Sequence, residues 1–413
     1  MRSPFDTVVM LTVSDWASEP RSNRYHYATR FARTSPVIFV QPDRAEGGYH
    51  FSPSGHPGIE ILHVSQSFDE EQAQTLSKVL AESRVGNMLL WVLNPNYGLA
   101  VEKIESDMCV FHATEDYFQK ELGRQLQATF YTKLTKLLGT VDLLVAVSEG
   151  VRNSYVRKGG YLGDVIVLEN GCDYKFWQTF SGEPRGERIV LYQGGINYRL
   201  DAELISELAE LLPDWQLRFC GTRDPRWTTW DEVLARHPNV RDLGNLSPED
   251  FAKESWRATV GIIPFIQSSF IVDVSFPLKA FEYVACGLPV VTVPIRSLER
   301  WPALFADARD AKEFAVKIRK ASLLVDNAEL IRLRAATAAQ RDYDVTFDRL
   351  MFFFAGGVRS SRRARRALRA FVPWLAWLPI RSRLGLRDFF ISARNFRFRV
   401  VAKLKYMRSR RAD

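Results

Sequence analysis

Lys279 and Glu282 stand three residues apart in Ser275-Phe-Pro-Leu-Lys-Ala-Phe-Glu-Tyr-Val-Ala-Cys-Gly-Leu-Pro-Val-Val-Thr-Val-Pro294. On a helix that spacing puts both on one face. A lysine in a first turn opposes the helix dipole unless an anion sits nearby. A helix start combined with a lysine makes a phosphate site. One turn further on, a carboxylate can accept hydrogen bonds from two ribose hydroxyls. The alternative is a solvated Lys–Glu pair, common on helix surfaces and worth little.

A second cluster has the same flavour. Gly194 and Gly195 follow the strand-like run Ile189–Tyr192, and Arg199 follows them. Glycines after a strand let backbone amides approach a phosphate closely, and an arginine adds a bidentate contact. A tight turn with Arg199 in solvent is the plainer reading. In open α/β sheets ligands sit beyond the carboxyl ends of strands, where this loop falls. Phe111-His112-Ala-Thr-Glu115-Asp116 closes another strand-like run, and Asp15, Trp16, Arg24 and His26 follow the first. Asp116 or Glu115 could equally cap a helix, and His26 could lie on a helix surface.

The elements that would position these residues alternate regularly. Ser275 is placed to cap the helix, Pro277 lies early in it, Gly287 ends it and Pro289 stops it. Val290, Val291 and Val293 then form a β-prone run. Thr7–Val13, Val37–Val40, Met88–Leu93, Cys109–His112, Leu143–Val147 and Val165–Leu168 read as strands, with helices at Asn23–Ala32 and Gln125–Leu138. After the loop Trp177–Arg188, strands at Ile189–Tyr192, Gln216–Cys220, Val240–Asp242 and Val260–Pro264 alternate with helices at Ala202–Leu212, Pro248–Ala258 and Ala311–Ala321. Such alternation predicts an α/β protein with two Rossmann-like doubly wound halves, residues 1–178 and 188–329.

The chain of 413 residues is too long for one ordinary core. Cys109, Cys172, Cys220 and Cys286 are scattered, which suits buried thiols in a reducing compartment. Neither cysteines nor histidines cluster at ligand spacing, so no metal site is expected. Val8 to Val13 is short and stopped by Asp15, so it reads as a strand and not as a signal peptide. No apolar stretch is long enough to span a bilayer.

The net charge of +8 hides an asymmetry. Arg359–Asp413 holds seventeen Lys and Arg against Asp388 and Asp413, which leaves the remainder at −7. Arg362, Arg363, Arg365 and Arg366 precede an aromatic segment with Trp374 and Trp377. Tryptophans beside arginines suit the headgroup level of an anionic membrane. Residues 356–413 are therefore expected to bind a membrane surface peripherally. Docking on another protein is the main rival, and no nucleic-acid module accompanies the tail.

The segment from Pro277 to Val291 resembles the donor site of GT-B glycosyltransferases, in the group 1, family 4-like branch with the signature P-L-K-x-x-E-Y-x-A-x-G-x-P-V-V. Ser148-Glu149, Asn170-Gly171-Cys172-Asp173 and Asn239-Val240-Arg241-Asp242-Leu243-Gly244 resemble further segments of that family. The resemblance covers about residues 5 to 345 and implies two lobes facing across a cleft. It implies that residues 330–355, with Leu330–Phe354 as one helical segment, cross back to the first lobe. The implied donor contacts are Gly194, Gly195, Arg199, Gly244, Pro277, Leu278, Lys279 and Glu282. The implied acceptor contacts are Asp15, Trp16, Arg24 and His26. Asp116, then Glu115 and His112, stand where relatives place a group that deprotonates or orients the acceptor. Many retaining relatives carry two glutamates eight residues apart; here Val274 fills the first position, which leaves the sugar and the stereochemical outcome open.

The implied activity is hexosyl transfer without a metal or other cofactor. The donor would be a nucleotide-diphosphate sugar, uridine being the default. The acceptor would be a hydroxyl on a lipid-linked or growing surface polysaccharide. The expected place is the cytoplasm, at the inner face of the plasma membrane. A nucleotide-sugar epimerase of the same fold and a non-catalytic membrane-bound partner of another transferase are the alternatives.

Overall fold

The computed structural model describes residues 3–43, 49–118 and 128–355. The basic extension 356–413, with Arg362, Arg363, Arg365, Arg366, Trp374 and Trp377, lies outside the described residues. So does the start of the helix expected at Gln125, whose described part is Ala128–Thr140.

In the first lobe the strands are β1 Thr7–Leu11, β2 Val37–Pro42, β3 His50–Pro53, β4 Ile59–Val64, β5 Met88–Val92, β6 Met108–Ala113, β7 Leu143–Ala146 and β8 Asp164–Val167. Their order is β3-β4-β2-β1-β5-β6-β7-β8, parallel throughout except for the β3–β4 pair. The second lobe has β9 Ile189–Gln193, β10 Gln216–Cys220, β11 Val240–Asp242, β12 Val260–Ile263, β13 Val290–Thr292 and β14 Phe305–Asp307. Its order is β11-β10-β9-β12-β13-β14, all parallel. Strands β1, β5, β6 and β9 are buried along their whole length, as apolar runs covered on both faces must be.

Each sheet reverses its winding beside its first strand. In the second lobe β9 lies between β10 and β12, so the connections leaving β9 and β12 diverge and open a crevice at the carboxyl end of β9. The loop with Gly194 and Gly195 starts there.

The chain crosses between lobes twice, and the crossings touch. Cys172 N–H donates to Arg341 O at 3.1 Å and Tyr343 N–H to Cys172 O at 3.0 Å. A Cβ on Gly171 would lie 2.1 Å from Arg341 O, so only glycine allows this approach. Gly171 is thus a packing requirement of the crossing. Two boundaries move as a result. Cys172 and Trp177 are already buried in the core of the second lobe, so the first crossing precedes the loop Trp177–Arg188. The segment Leu330–Phe354 is not one helix. Ala328–Gln340 packs on the second lobe and Tyr343–Ala355 on the first, with the break at Arg341–Asp342. Phe354 meets Phe5 edge-on at 5.4 Å and Phe347 meets Phe31 at 5.0 Å, seating the second helix on the first lobe.

Candidate active site

The helix Leu278–Ala285 is built to leave its first turn open. Pro277 is the N-cap, with φ −64° and ψ 128°, and no side chain caps the helix. Ser275, expected to do so, instead donates its hydroxyl to Ile271 O and ends the preceding helix Ser269–Val274. A proline cap has neither a side-chain acceptor nor an N–H; Ala280 N–H turns back to Pro277 O at 3.2 Å, and the amides of Leu278 and Lys279 are left for a ligand. The far end is closed firmly. Gly287 adopts φ +69°, its N–H donates to Val284 O, and Leu288 N–H donates to Tyr283 O.

The helix is held against the end of β9. Tyr283 Oη accepts from Gln193 N–H at 2.7 Å. A Cβ on Gly261 of β12 would meet the Tyr283 ring at 2.7 Å, so glycine lets the helix lie this close. Lys279 is therefore aimed at the crevice. Its ammonium donates to Tyr192 Oη at 3.2 Å and lies 4.4 Å from the Tyr192 ring centre and 4.6 Å from that of Phe265. Tyr192 Oη in turn donates to Gly195 O at 2.9 Å, tying the lysine to the glycine loop. Gly194 has φ +125°, and a Cβ there would sit 2.8 Å from Lys279 Nζ.

Burial lowers the Lys279 pKa to about 7, with Glu282 opposing the shift and Arg199 adding to it. Burial raises Glu282 to about 7, against the Gln193 hydrogen bond and the Lys279 charge. Gln193 Nε2 donates to Glu282, and Gln193 Oε1 accepts from Ser255 Oγ at 3.0 Å. That relay fixes which way the carboxylate faces. Arg199 rests on the Phe270 ring at 5.4 Å and reaches across the cleft to Glu115 at 3.4 Å. Two cations and an open helix start thus converge beside Gly194, with a carboxylate one turn away. This arrangement suits a diphosphate and a vicinal diol.

Residues 187–322 match the sequence model of the glycosyl transferases group 1. The second lobe is thus similar to group 1 glycosyltransferase domains. Sucrose-phosphate synthase from Thermosynechococcus elongatus superposes with a TM-score of 0.63 at 15% identity, over 85% of this chain and 98% of that one. HepE from Anabaena, in complex with UDP and glucose, gives 0.63 at 14% identity, over 85% of this chain and 100% of its own. At these identities the likeness is one of fold, and the fold is GT-B. TuaH of Bacillus subtilis (strain 168), named as a candidate teichuronic acid biosynthesis glycosyltransferase, is 25% identical over 326 residues, 71% of this chain and 82% of TuaH.

On this GT-B frame six of the residues expected to contact a donor come together in the second lobe: Gly194, Gly195, Arg199, Pro277, Lys279 and Glu282. Leu278 turns partly away and packs on the core of the first lobe. Gly244, at φ +68°, accepts from Gly221 N–H at 2.8 Å and shapes the neighbouring loop. On the first lobe two expectations fail. Asp116 is fully buried; its carboxylate accepts from Ser154 Oγ at 2.7 Å and from Phe118 N–H at 2.9 Å, so it cannot meet an acceptor. His26 is buried too, stacked on Tyr343 with centroids 4.0 Å apart and 3.3 Å from Arg30, and burial lowers its pKa strongly. It belongs to the crossing between lobes and is not an acceptor contact.

Glu115 does face the cleft. Arg24 is held by Glu19 at 2.7 Å, and its charge is felt at His112 and Tyr117. His112 is buried beside Tyr27 and Trp91, with its pKa lowered to about 3 by burial, and stays neutral. Asp15 accepts from Ala17 N–H and Ser18 Oγ in an exposed turn, while the Trp16 indole packs on Tyr25 and Phe39 and donates to Ser54 O.

Sequence reasoning missed Tyr192, Gln193 and Ser255. A glutamine closing an apolar strand at a winding reversal was the available signal. It also missed a relay between lobes. Tyr343 Oη donates to Asn23 Oδ1, Asn23 Nδ2 to Asn170 Oδ1, and Asn170 Nδ2 to Phe276 O, two residues before the open helix. Val274 packs into the first-lobe core, and its carbonyl accepts from Ser148 Oγ.

Proposed function

We propose that this GT-B protein is a hexosyltransferase of the P-L-K-x-x-E branch. Its donor is a nucleotide-diphosphate sugar, with UDP-sugars first to test, and its acceptor is a hydroxyl on a lipid-linked or growing surface polysaccharide. The observation that carries the reading is the convergence of Lys279, Arg199 and the uncapped start of Leu278–Ala285 beside Gly194. These positive groups take the charge that develops on the leaving diphosphate, work that a metal ion does elsewhere. Glu282, oriented by Gln193, accepts from the ribose hydroxyls. HepE is described with UDP and glucose bound, and the TuaH name points to a polysaccharide. Among the described residues no helix is long and apolar enough to cross a membrane. The proposed site of action is the inner face of the plasma membrane, reached through the tail.

The first test is a thermal-shift panel with UDP-, GDP-, ADP- and dTDP-sugars, with and without EDTA. One donor class raises Tm by several degrees and EDTA leaves the shift unchanged. No shift with any of the four refutes the donor assignment.

The paired shifts at Lys279 and Glu282 predict a bell-shaped pH dependence. Above about pH 7 the free protein loses the Lys279 proton, and with it the cation that holds the anion. Below about pH 7 Glu282 gains a proton and no longer accepts from both hydroxyls. A donor sugar diphosphate does not titrate in this range, so its Kd measured by calorimetry from pH 5.5 to 8.5 is smallest near 7. It weakens by up to about tenfold per unit on each side. A flat profile removes Lys279 and Glu282 as the titrating pair.

A further inference from the structure

Glu115 sits at the cleft edge of the first lobe and Arg199 on the phosphate-side loop of the second. Their side chains meet at 3.4 Å, with 33% and 34% of their surfaces exposed. Both ends are held in place. The backbone of Glu115 accepts from Tyr155 Oη at 3.1 Å. Arg199 N–H donates to Asn197 Oδ1 at 3.0 Å, Arg199 O accepts from Ile266 N–H, and the guanidinium lies on Phe270. The guanidinium is thus pre-aimed at the crevice, and in this state a carboxylate occupies it. A diphosphate beside Lys279 presents the same kind of group, two oxygens for a planar fork, with more charge.

We infer that Glu115 is a built-in stand-in for the donor diphosphate, which displaces it from Arg199 and frees its carboxylate to face the acceptor, so that binding is ordered with donor first. This rests on the proposed donor site and adds to it a coupling between lobes. The freed carboxylate is a better hydrogen-bond acceptor for an incoming hydroxyl than one neutralised by arginine. Acceptor that arrives first meets a pair already satisfied.

The sign of one measurement separates this from a mere bridge between lobes. In Glu115→Gln the competitor is weakened, so UDP binds about two- to fivefold tighter, the range set by a partly exposed ion pair. Transfer in the same variant becomes slower in kcat, because the carboxylate is gone when the acceptor arrives. In Arg199→Gln UDP binds more weakly, and in the double variant Glu115→Gln/Arg199→Gln the gain from the first change disappears. Wild-type protein that binds UDP, together with a Glu115→Gln variant that binds it equally or more weakly, overturns the stand-in while leaving the donor site intact. Wild-type protein that binds none of UDP, GDP, ADP or dTDP takes both down. Kd by calorimetry, with far-UV circular dichroism to confirm folding, is the readout.

Discussion

Lys279→Ala abolishes measurable transfer, lowering kcat by about 10²–10³-fold or more, while the protein remains folded. The size follows from removing a preorganised, half-buried charge from the place where, in the proposed reaction, a leaving group gains charge. The lysine is half-buried over Tyr192 and Phe265, so no neighbouring side chain replaces it without reorganisation. Stability points the other way. The Lys279 pKa is lowered on folding, so the protonated form is the disfavoured one. That penalty is complete below about pH 7 and fades only as pH rises toward the ordinary lysine value. Lys279→Met, which keeps the stem and removes the charge, therefore has a Tm at pH 6.5 equal to or above the wild type. Turnover within tenfold of the wild type in either variant refutes the role of the ammonium, and a Tm fall of many degrees in Lys279→Met refutes the burial argument.

That lysine was legible because its neighbours constrain it on several levels. Pro277, Gly287 and Pro289 fix where a helix starts and stops, and the valine run after it fixes a buried strand, so the face carrying Lys279 and Glu282 follows from helical spacing. The strands buried along their whole length, β1, β5, β6 and β9 among them, were visible for the same reason: apolar runs covered on two faces leave few alternatives. The sequence is least explicit where direction depends on one residue more or less. Glu115 and Asp116 are adjacent acids after β6, yet one meets Arg199 across the cleft and the other is buried on Ser154. No periodicity decides between neighbours in a loop. The β3–β4 pair was missed because β3 is largely exposed and carries no continuous apolar run. His26 illustrates a signal that was present and unread. Asn23, His26 and Arg30 form a polar stripe at helical spacing, and all three are buried against the returning chain, with Arg30 at 2.8 Å from Asp344. A stripe of that kind on an otherwise amphipathic helix marks a crossing between lobes.

Gly194→Ala is the complementary test, because it adds one methyl group and removes no charge. Two costs combine. A backbone at φ +125° is one that alanine rarely adopts. The new Cβ would lie 2.8 Å from Lys279 Nζ and 2.9 Å from its Cε, and the Tyr192 hydroxyl is at 3.5 Å. The far end of a lysine is flexible, so the protein folds, but the ammonium moves out of the crevice toward Glu115 and solvent. Gly221, at φ +150°, leaves the loop no room to retreat, since its own Cβ position is already 2.0 Å from Gly194 O. A displacement of about 1 Å at the charge proposed to meet the diphosphate lowers kcat/KM by about 100-fold. UDP affinity falls with it, and Tm drops by only a few degrees. Gly195→Ala is the control: the side chain nearest its Cβ position is Asn197, not the lysine. Its loss of activity is therefore several-fold smaller. Equal effects at the two glycines would mean that the loop acts through its backbone alone, and that the position of Lys279 over Gly194 has no part in catalysis.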